Sequence, residues 1–218
     1  MWHEKILFMD GEALVIDKPA GLAVTPGKAN QESLDDYLDD LRFGFQRRPM
    51  PVHRLDRDTS GCLLLARNPK ALKRFSAAFE ARQVTKSYLA VLDGVPEDEG
   101  GVIDLALSKR STREEGWRMV VDPKGKAART SWQRLEVRDG RALVLLKPDT
   151  GRTHQLRVHA VEGIGLPISG DPVYGNGRGP MLLHALELVV MREGKPPIEA
   201  RAPYPPTFVQ LGFVDEAV

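Results

Sequence analysis

The feature that most constrains the fold is a charged segment that runs directly into an apolar one. Residues 50–61 contain a proline, two aspartates, two arginines and a closing Asp-Thr-Ser-Gly stretch. Residues 62–66, Cys-Leu-Leu-Leu-Ala, are entirely apolar, and this length and composition predict a buried β-strand. The charged segment is therefore predicted to be a loop fixed to the start of a core strand, where catalytic side chains are commonly placed.

Asp56 is the first candidate for a chemical role in this loop. It lies between Arg54 and Arg57, and His53 is close by in the sequence. A carboxylate among cations stays ionised at neutral pH, which suits a nucleophile or an electrostatic stabiliser. We interpret Asp58 as a turn residue that hydrogen-bonds to local backbone.

Composition restricts the class of protein. With 218 residues, 42% of them apolar and 28% charged, we expect a single globular domain over residues 1–218. A net charge of +1 does not mark a nucleic-acid binder, so any RNA site must come from local clustering of Lys and Arg. One cysteine allows no intrachain disulfide, and no stretch approaches the roughly 20 apolar residues of a membrane helix. These features predict a cytoplasmic protein.

Periodicity places further elements along the chain. Asn68 and Pro69 mark a helix start, and Ser33 is predicted to cap a second helix that runs to about Phe43. Thr153 is predicted to cap a helix that carries Arg157. A short helix or tail is expected near the end of the chain. Further strands are predicted at residues 6–9, 13–16, 86–94, 142–146 and 181–188.

Residues 109–130 form the most basic segment of the chain. They contain seven Lys and Arg side chains against three acidic ones, so 7 − 3 gives a local charge of +4, and Trp117 lies among them. Basic residues interleaved with an aromatic suit contact with RNA backbone and bases. A solvent-exposed hairpin is compatible with that role.

Three motifs together resemble the RluA-type pseudouridine synthases. Residues 53–61 (His-Arg-Leu-Asp-Arg-Asp-Thr-Ser-Gly) resemble the segment that carries the catalytic aspartate of that family. Residues 86–90 resemble its Lys-x-Tyr-x-Ala motif, and residues 151–157 match its Gly-Arg-Thr-His-Gln-Leu-Arg motif letter for letter. Residues 18–21, Lys-Pro-Ala-Gly, resemble its first motif, for which we expect a rigid turn that supports the sheet.

The resemblance implies a set of residue roles. Asp56 is the catalytic carboxylate, Tyr88 stacks on the target base and Arg157 pairs with Asp56, while Arg54 fills the gap that the flipped uridine leaves. The side chains expected to bind substrate are His53, Arg54, Arg57, Lys86 and Arg152.

The resemblance also implies a fold and a partner. We expect an α+β protein with a mixed, mainly antiparallel central β-sheet, flanking helices and loops, and an active-site cleft across the sheet. The substrate is ribosomal or transfer RNA, and no cofactor, metal or membrane is expected to take part. We further expect a monomer without a separate N-terminal RNA-binding domain.

Two other classes of function remain open from the residues alone. A hydrolase could use Asp56 and Asp58 as a carboxylate pair, although this would leave Tyr88 and Arg157 without a role. A catalytically inactive RNA-binding module is the second alternative. The isomerase is favoured over both because the full set of Asp, Tyr and Arg is present.

Overall fold

Strands dominate the protein. The computed structural model describes residues 2–27, 32–114 and 116–215. The first five strands are β1 (Ile6–Met9), β2 (Ala13–Lys18), β3 (Met50–Pro51), β4 (Ser60–Ala66) and β5 (Val84–Leu92). The others are β6 (Gly100–Asp104), β7 (Leu107–Thr112), β8 (Gly116–Val121), β9 (Arg129–Arg138), β10 (Arg141–Pro148), β11 (Leu183–Val190) and β12 (Ile198–Arg201).

Helices are few and short. The α-helices are α1 (Pro69–Glu80), α2 (Gln155–His159) and α3 (Pro206–Gln210), and a π-helical turn follows α2 at Ala160–Ile164. Three 3₁₀ turns occupy His3–Lys5, Leu34–Tyr37 and Asp40–Arg42. The expected α+β class with a mainly antiparallel central sheet is confirmed. None of the helices in the described part of the chain is long and apolar enough to cross a membrane.

The predicted helix from Ser33 to Phe43 is wrong in type. Two 3₁₀ turns replace it, and Phe43 ends them with a left-handed φ of 44°. Ser33 and Asp36 do form the expected capping box. The segment holds four aspartates, which are poor helix formers because their carboxylates compete for backbone amides. By contrast, α1 begins as predicted, with Asn68 Oδ1 accepting from the Ala71 amide at 2.9 Å.

The chain divides into two compact units, and the first holds the charged loop. It comprises the described residues up to Lys86 together with Ala185–Pro203. Its strand order is β1-β2-β4-β11, with β12 beside β11. Residues 13–16 of β2 and residues 63–66 of β4 are completely buried. The antiparallel register sets Lys18 opposite Gly61, which brings the end of β2 beside the end of the charged loop.

The second unit comprises Ser87–His184 and the described residues from Tyr204 onward. Its strand order is β5-β10-β9-β6, and Tyr88 on β5 lies opposite Leu146 on β10. Strands β7 and β8 form a separate two-stranded sheet, which confirms the predicted hairpin. Packing against this hairpin involves Val158 of α2 and Tyr174.

Gly61 closes the charged loop at a position that only glycine suits. Its φ is +101°, and a Cβ built there would lie 2.2 Å from the carbonyl oxygen of Ala185. The side chain is therefore absent for two reasons, the backbone conformation and the close approach of β11. Strand β11 thus fixes where the loop ends.

Gly61→Ala should destabilise the protein by about 3 kcal/mol or more, because it adds a backbone clash to an unfavourable φ. Urea denaturation measures this change in the free energy of unfolding. Gly11→Ala is the matched control, since nothing lies within 4 Å of its Cβ position, and it should change stability by less than about 0.5 kcal/mol. Equal stabilities for the two variants would contradict the packing described for Gly61.

Candidate active site

Asp56 stands at the first position of a tight turn in the charged loop. The Thr59 amide donates to the Asp56 carbonyl at 3.1 Å, which closes the turn over residues 56–59. Leu55 and Thr59 are buried on either side, while Asp56 itself is half-buried. Two anchored neighbours therefore present the Asp56 side chain from a fixed backbone.

A buried ammonium ties this turn to the loop that follows β2. Lys18 is completely buried, and its Nζ donates to the carbonyls of Pro19 at 2.7 Å, Leu22 at 2.8 Å and Arg57 at 3.1 Å. The Gly21 amide also donates to the Arg57 carbonyl at 2.9 Å, and Arg57 Nε donates to the Gly21 carbonyl at 3.0 Å. The expected supporting role of this Pro/Gly loop is therefore seen in its contacts.

Residues 18–21 stand out in the sequence as a motif, but nothing there indicates that the Lys18 ammonium is completely buried. Burial lowers the pKa of its ammonium to about 8, and the negative charges of Asp58 and Asp56 act in the opposite direction. A lysine at the end of an apolar strand gave no sign of this in the sequence, because lysines are rarely fully buried.

His53 is held by backbone and aromatic contacts. Its Nε2 accepts from the Leu64 amide at 3.0 Å, and its ring stacks on Phe79 with centroids 4.6 Å apart. Burial, together with the positive charge of Lys86, lowers its pKa to about 3, so the imidazole is neutral. These contacts anchor the start of the loop, and a substrate role for His53 stays a prediction.

The cationic residues of the first unit differ in exposure. Arg54 and Arg57 are exposed, which suits the predicted contact with substrate. Lys86 is half-buried, and its Nζ lies 5.9 Å from the centre of the Phe79 ring. Nε of Arg57 lies 3.9 Å from Oδ1 of Asp58, and both side chains of this loose ion pair are exposed to solvent.

In the second unit, the Arg157 side chain binds Asp171, a residue that no sequence pattern identified as part of the site. Nε of Arg157 donates to Oδ2 of Asp171 at 2.7 Å, and Nη2 donates to Oδ1 at 2.7 Å. Both side chains are almost completely buried. This two-pronged geometry fixes the plane of the guanidinium, because a fork of parallel hydrogen bonds leaves it little freedom.

Asp171 is itself held in place by local backbone. Its Oδ1 also accepts from the amides of Val173 at 2.8 Å and Tyr174 at 3.0 Å. Burial alone would raise the pKa of Asp171, but the hydrogen bonds from Arg157 and from those amides outweigh it and hold the pKa below its usual range. The signal available in the sequence was an aspartate between Gly170 and Pro172 in a stretch rich in glycine and proline.

The helix that carries Arg157 begins differently from the prediction. Thr153 does not cap it; His154 occupies the cap position with a left-handed φ of 52° and no side-chain cap. The buried Gln155 organises the turn instead. Its Oε1 accepts from the Arg152 amide at 3.0 Å and the Thr150 hydroxyl at 2.7 Å, and its Nε2 donates to the Arg129 carbonyl at 3.0 Å.

Tyr88 and Arg152 are the other two predicted site residues of the second unit. Tyr88 is half-buried on β5 and packs against the apolar core of this unit. Arg152 is half-buried, and its Nε donates to the Ala127 carbonyl at 3.1 Å.

Asp56 belongs to the first unit and Arg157 to the second, so their pairing stays a prediction. No cluster of three or more potential metal ligands occurs among the described residues.

Comparison with known proteins decides the family. Residues 12–162 match the family model for RNA pseudouridylate synthase, which is more than half of the chain. The chain belongs to the RluA-type RNA pseudouridine synthases. Members of this family are isomerases that act on RNA.

Two relatives show how far the similarity extends. An uncharacterized RNA pseudouridine synthase of Zymomonas mobilis is 56% identical over 96% of this chain and 98% of its own length. The ribosomal large subunit pseudouridine synthase D of Nitrosomonas europaea is 40% identical over 78% of this chain. The match covers 49% of that protein, so the chain spans about half the length of this relative.

Solved structures agree with the family. Human RNA pseudouridylate synthase domain containing 4 matches with a TM-score of 0.80 and 28% identity, over 95% of this chain and 91% of its own. Human RNA pseudouridylate synthase domain containing 1 matches with a TM-score of 0.77 and 31% identity, over 91% and 82%.

The buried ammonium of this synthase predicts a pH dependence of stability. The unfolded chain keeps the Lys18 proton up to its ordinary pKa of 10.5, whereas the folded protein loses it near pH 8. Between these pH values the unfolded state binds more protons, so the free energy of unfolding should rise with pH, by about 3 kcal/mol in all. Urea titrations of wild type and Lys18→Met should differ in this window, with the rise missing from the variant. Parallel curves would contradict the burial of a charged Lys18.

Proposed function

We propose that the protein converts a specific uridine of ribosomal or transfer RNA to pseudouridine, with Asp56 as the catalytic carboxylate. The observation that carries the proposal is the position of Asp56 in a family motif on a turn that Lys18 and Gly21 hold from the neighbouring loop. The name of the Nitrosomonas europaea relative refers to the large ribosomal subunit, which favours ribosomal RNA as the class of substrate.

The reaction needs little besides a well-placed carboxylate. The bond between C1′ of the ribose and N1 of uracil breaks, the base turns, and C1′ bonds to C5 instead. The hydrogen on C5 leaves as a proton and N1 gains one, so the reaction involves no net oxidation, reduction or hydrolysis. An ionised Asp56 can add to the sugar or to the base ring, and both routes require it to be unprotonated.

Other residues receive supporting roles in this proposal. Tyr88 stacks on the flipped uracil, Arg157 serves as the cation for Asp56, and Arg54 occupies the space that the uridine leaves. An arginine suits the second role because its guanidinium stays charged and has further N–H donors while Nε and Nη2 bind Asp171. Further contacts with substrate are assigned to His53, Arg57, Lys86 and Arg152.

We also propose the setting in which this chemistry takes place. Residues 1–218 form one catalytic domain that acts as a monomer in the cytoplasm, without cofactor or metal. The hydrolase alternative requires a water to take the place of the turned base, and free uracil would then be released. The inactive binding module requires no turnover at all.

Asp56→Asn should abolish pseudouridine formation and leave RNA binding within about threefold of wild type, because it removes only the charge that the chemistry needs. The measurement uses RNA labelled with tritium at uracil C5, since each turnover releases that hydrogen. Asp58→Asn is the matched control and should retain substantial activity, because Asp58 is proposed to act only within the turn. Turnover by the Asp56 variant, or release of free uracil by wild type, would overturn the assignment.

A further inference from the structure

The hairpin of β7 and β8 presents a large aromatic side chain that the proposed chemistry does not use. Trp117 is 47% exposed and lies on the same face of the hairpin as Met119 and Val121. The cross-strand register places it opposite Ser111, next to the pair of Lys109 and Met119 on the same face. Met119 packs into the small core beneath the hairpin, so this face turns toward the body of the second unit at one end and toward solvent at Trp117.

The Trp117 ring is held from beneath by an unusual residue. The ring of His154 lies against it, with centroids 5.0 Å apart and planes 31° from parallel. His154 has a left-handed φ of 52°, a conformation that non-glycine residues adopt at a cost of about 1–3 kcal/mol. Contacts of the His154 side chain hold it in that conformation and so fix the position and tilt of the indole that lies against it.

Those surrounding contacts reach the arginine of the proposed site. Nδ1 of His154 lies 3.0 Å from the Tyr174 hydroxyl, which also accepts from the Met119 amide at 2.9 Å. The Arg157 guanidinium lies 5.1 Å from the centre of the Tyr174 ring. The indole is therefore supported by the same rigid cluster that orients Arg157.

The charges around Trp117 indicate what it could bind. Nζ of Lys109 lies 5.1 Å from the centre of the indole, and the Lys109 side chain is exposed. A half-exposed aromatic plane beside an exposed ammonium matches the two parts of a nucleotide, a flat base and an anionic phosphate. Bases within a duplex have both faces covered, so only an unpaired base can stack in this way.

We propose that Trp117, backed by His154, is a stacking platform for an unpaired nucleobase of the RNA substrate other than the converted uridine, with Lys109 at the adjoining phosphate. This rests on the proposed function, which makes RNA the substrate. The platform would make recognition depend on an unpaired nucleotide near the target, a preference that phosphate contacts alone cannot provide.

Tryptophan emission tests the platform directly. The chain has three tryptophans, and a base stacked on Trp117 should quench its emission as an unpaired oligouridine is titrated in. Trp117→Phe should lose most of that quenching while keeping affinity within a few-fold, because a ring remains. Trp2→Phe is the matched control and should retain the quenching, since Trp2 lies in the other unit.

Affinity provides the second readout. Trp117→Leu should bind a stem-loop RNA about tenfold more weakly than wild type, within the range that stacking on one aromatic ring contributes. Undiminished quenching in Trp117→Phe, or wild-type affinity in Trp117→Leu, would overturn the platform. Binding and quenching are measured without turnover. A protein that binds RNA but does not convert uridine would refute the proposed chemistry, and the same measurements would still decide whether Trp117 stacks on a base. The quenching titration of the wild-type protein does not depend on whether any variant folds.

Discussion

The proposed site depends first on a single buried ammonium. Lys18 donates to three carbonyls, and one of them belongs to Arg57, the residue after Asp56. A fully buried lysine is tolerated only where its donors are satisfied and carboxylates lie within electrostatic reach. Both conditions hold here. Movement of the loop that carries Asp56 would therefore leave buried polar groups without hydrogen-bond partners. The proposed catalytic carboxylate of Asp56 therefore stands on a backbone that Lys18 holds in place.

In the second unit a buried charge again fixes a residue of the proposed site, but here the buried charge is negative. Asp171 is completely buried and holds Arg157 through two hydrogen bonds, and the amides of Val173 and Tyr174 complete its coordination. Tyr174 then links this pair to His154 and to the β7–β8 hairpin. A buried cation thus holds the backbone next to Asp56, and a buried anion holds the side chain of Arg157. Such preorganisation is what a reaction driven by charge placement requires.

Strand and motif patterns were sufficient to predict most elements and the family, because apolar runs and turn residues act locally. The strand after the charged loop, the β1–β2 hairpin and the start of α1 all follow from neighbouring residues. The supports of the site could not be predicted in this way. Lys18 and Asp171 act through contacts that tertiary packing creates, and a buried Lys or Asp looks like a surface residue in the sequence. Thr153 had the residue type of a helix cap, yet the buried amide of Gln155 satisfied the turn instead.

The loop that Lys18 supports is proposed to carry out the conversion of a particular uridine in cellular RNA. The most direct test maps pseudouridines across ribosomal and transfer RNA from cells with and without the gene. We expect one or a few uridines to lose their modification in its absence, all other sites being unchanged. Identical maps from the two strains would contradict the account.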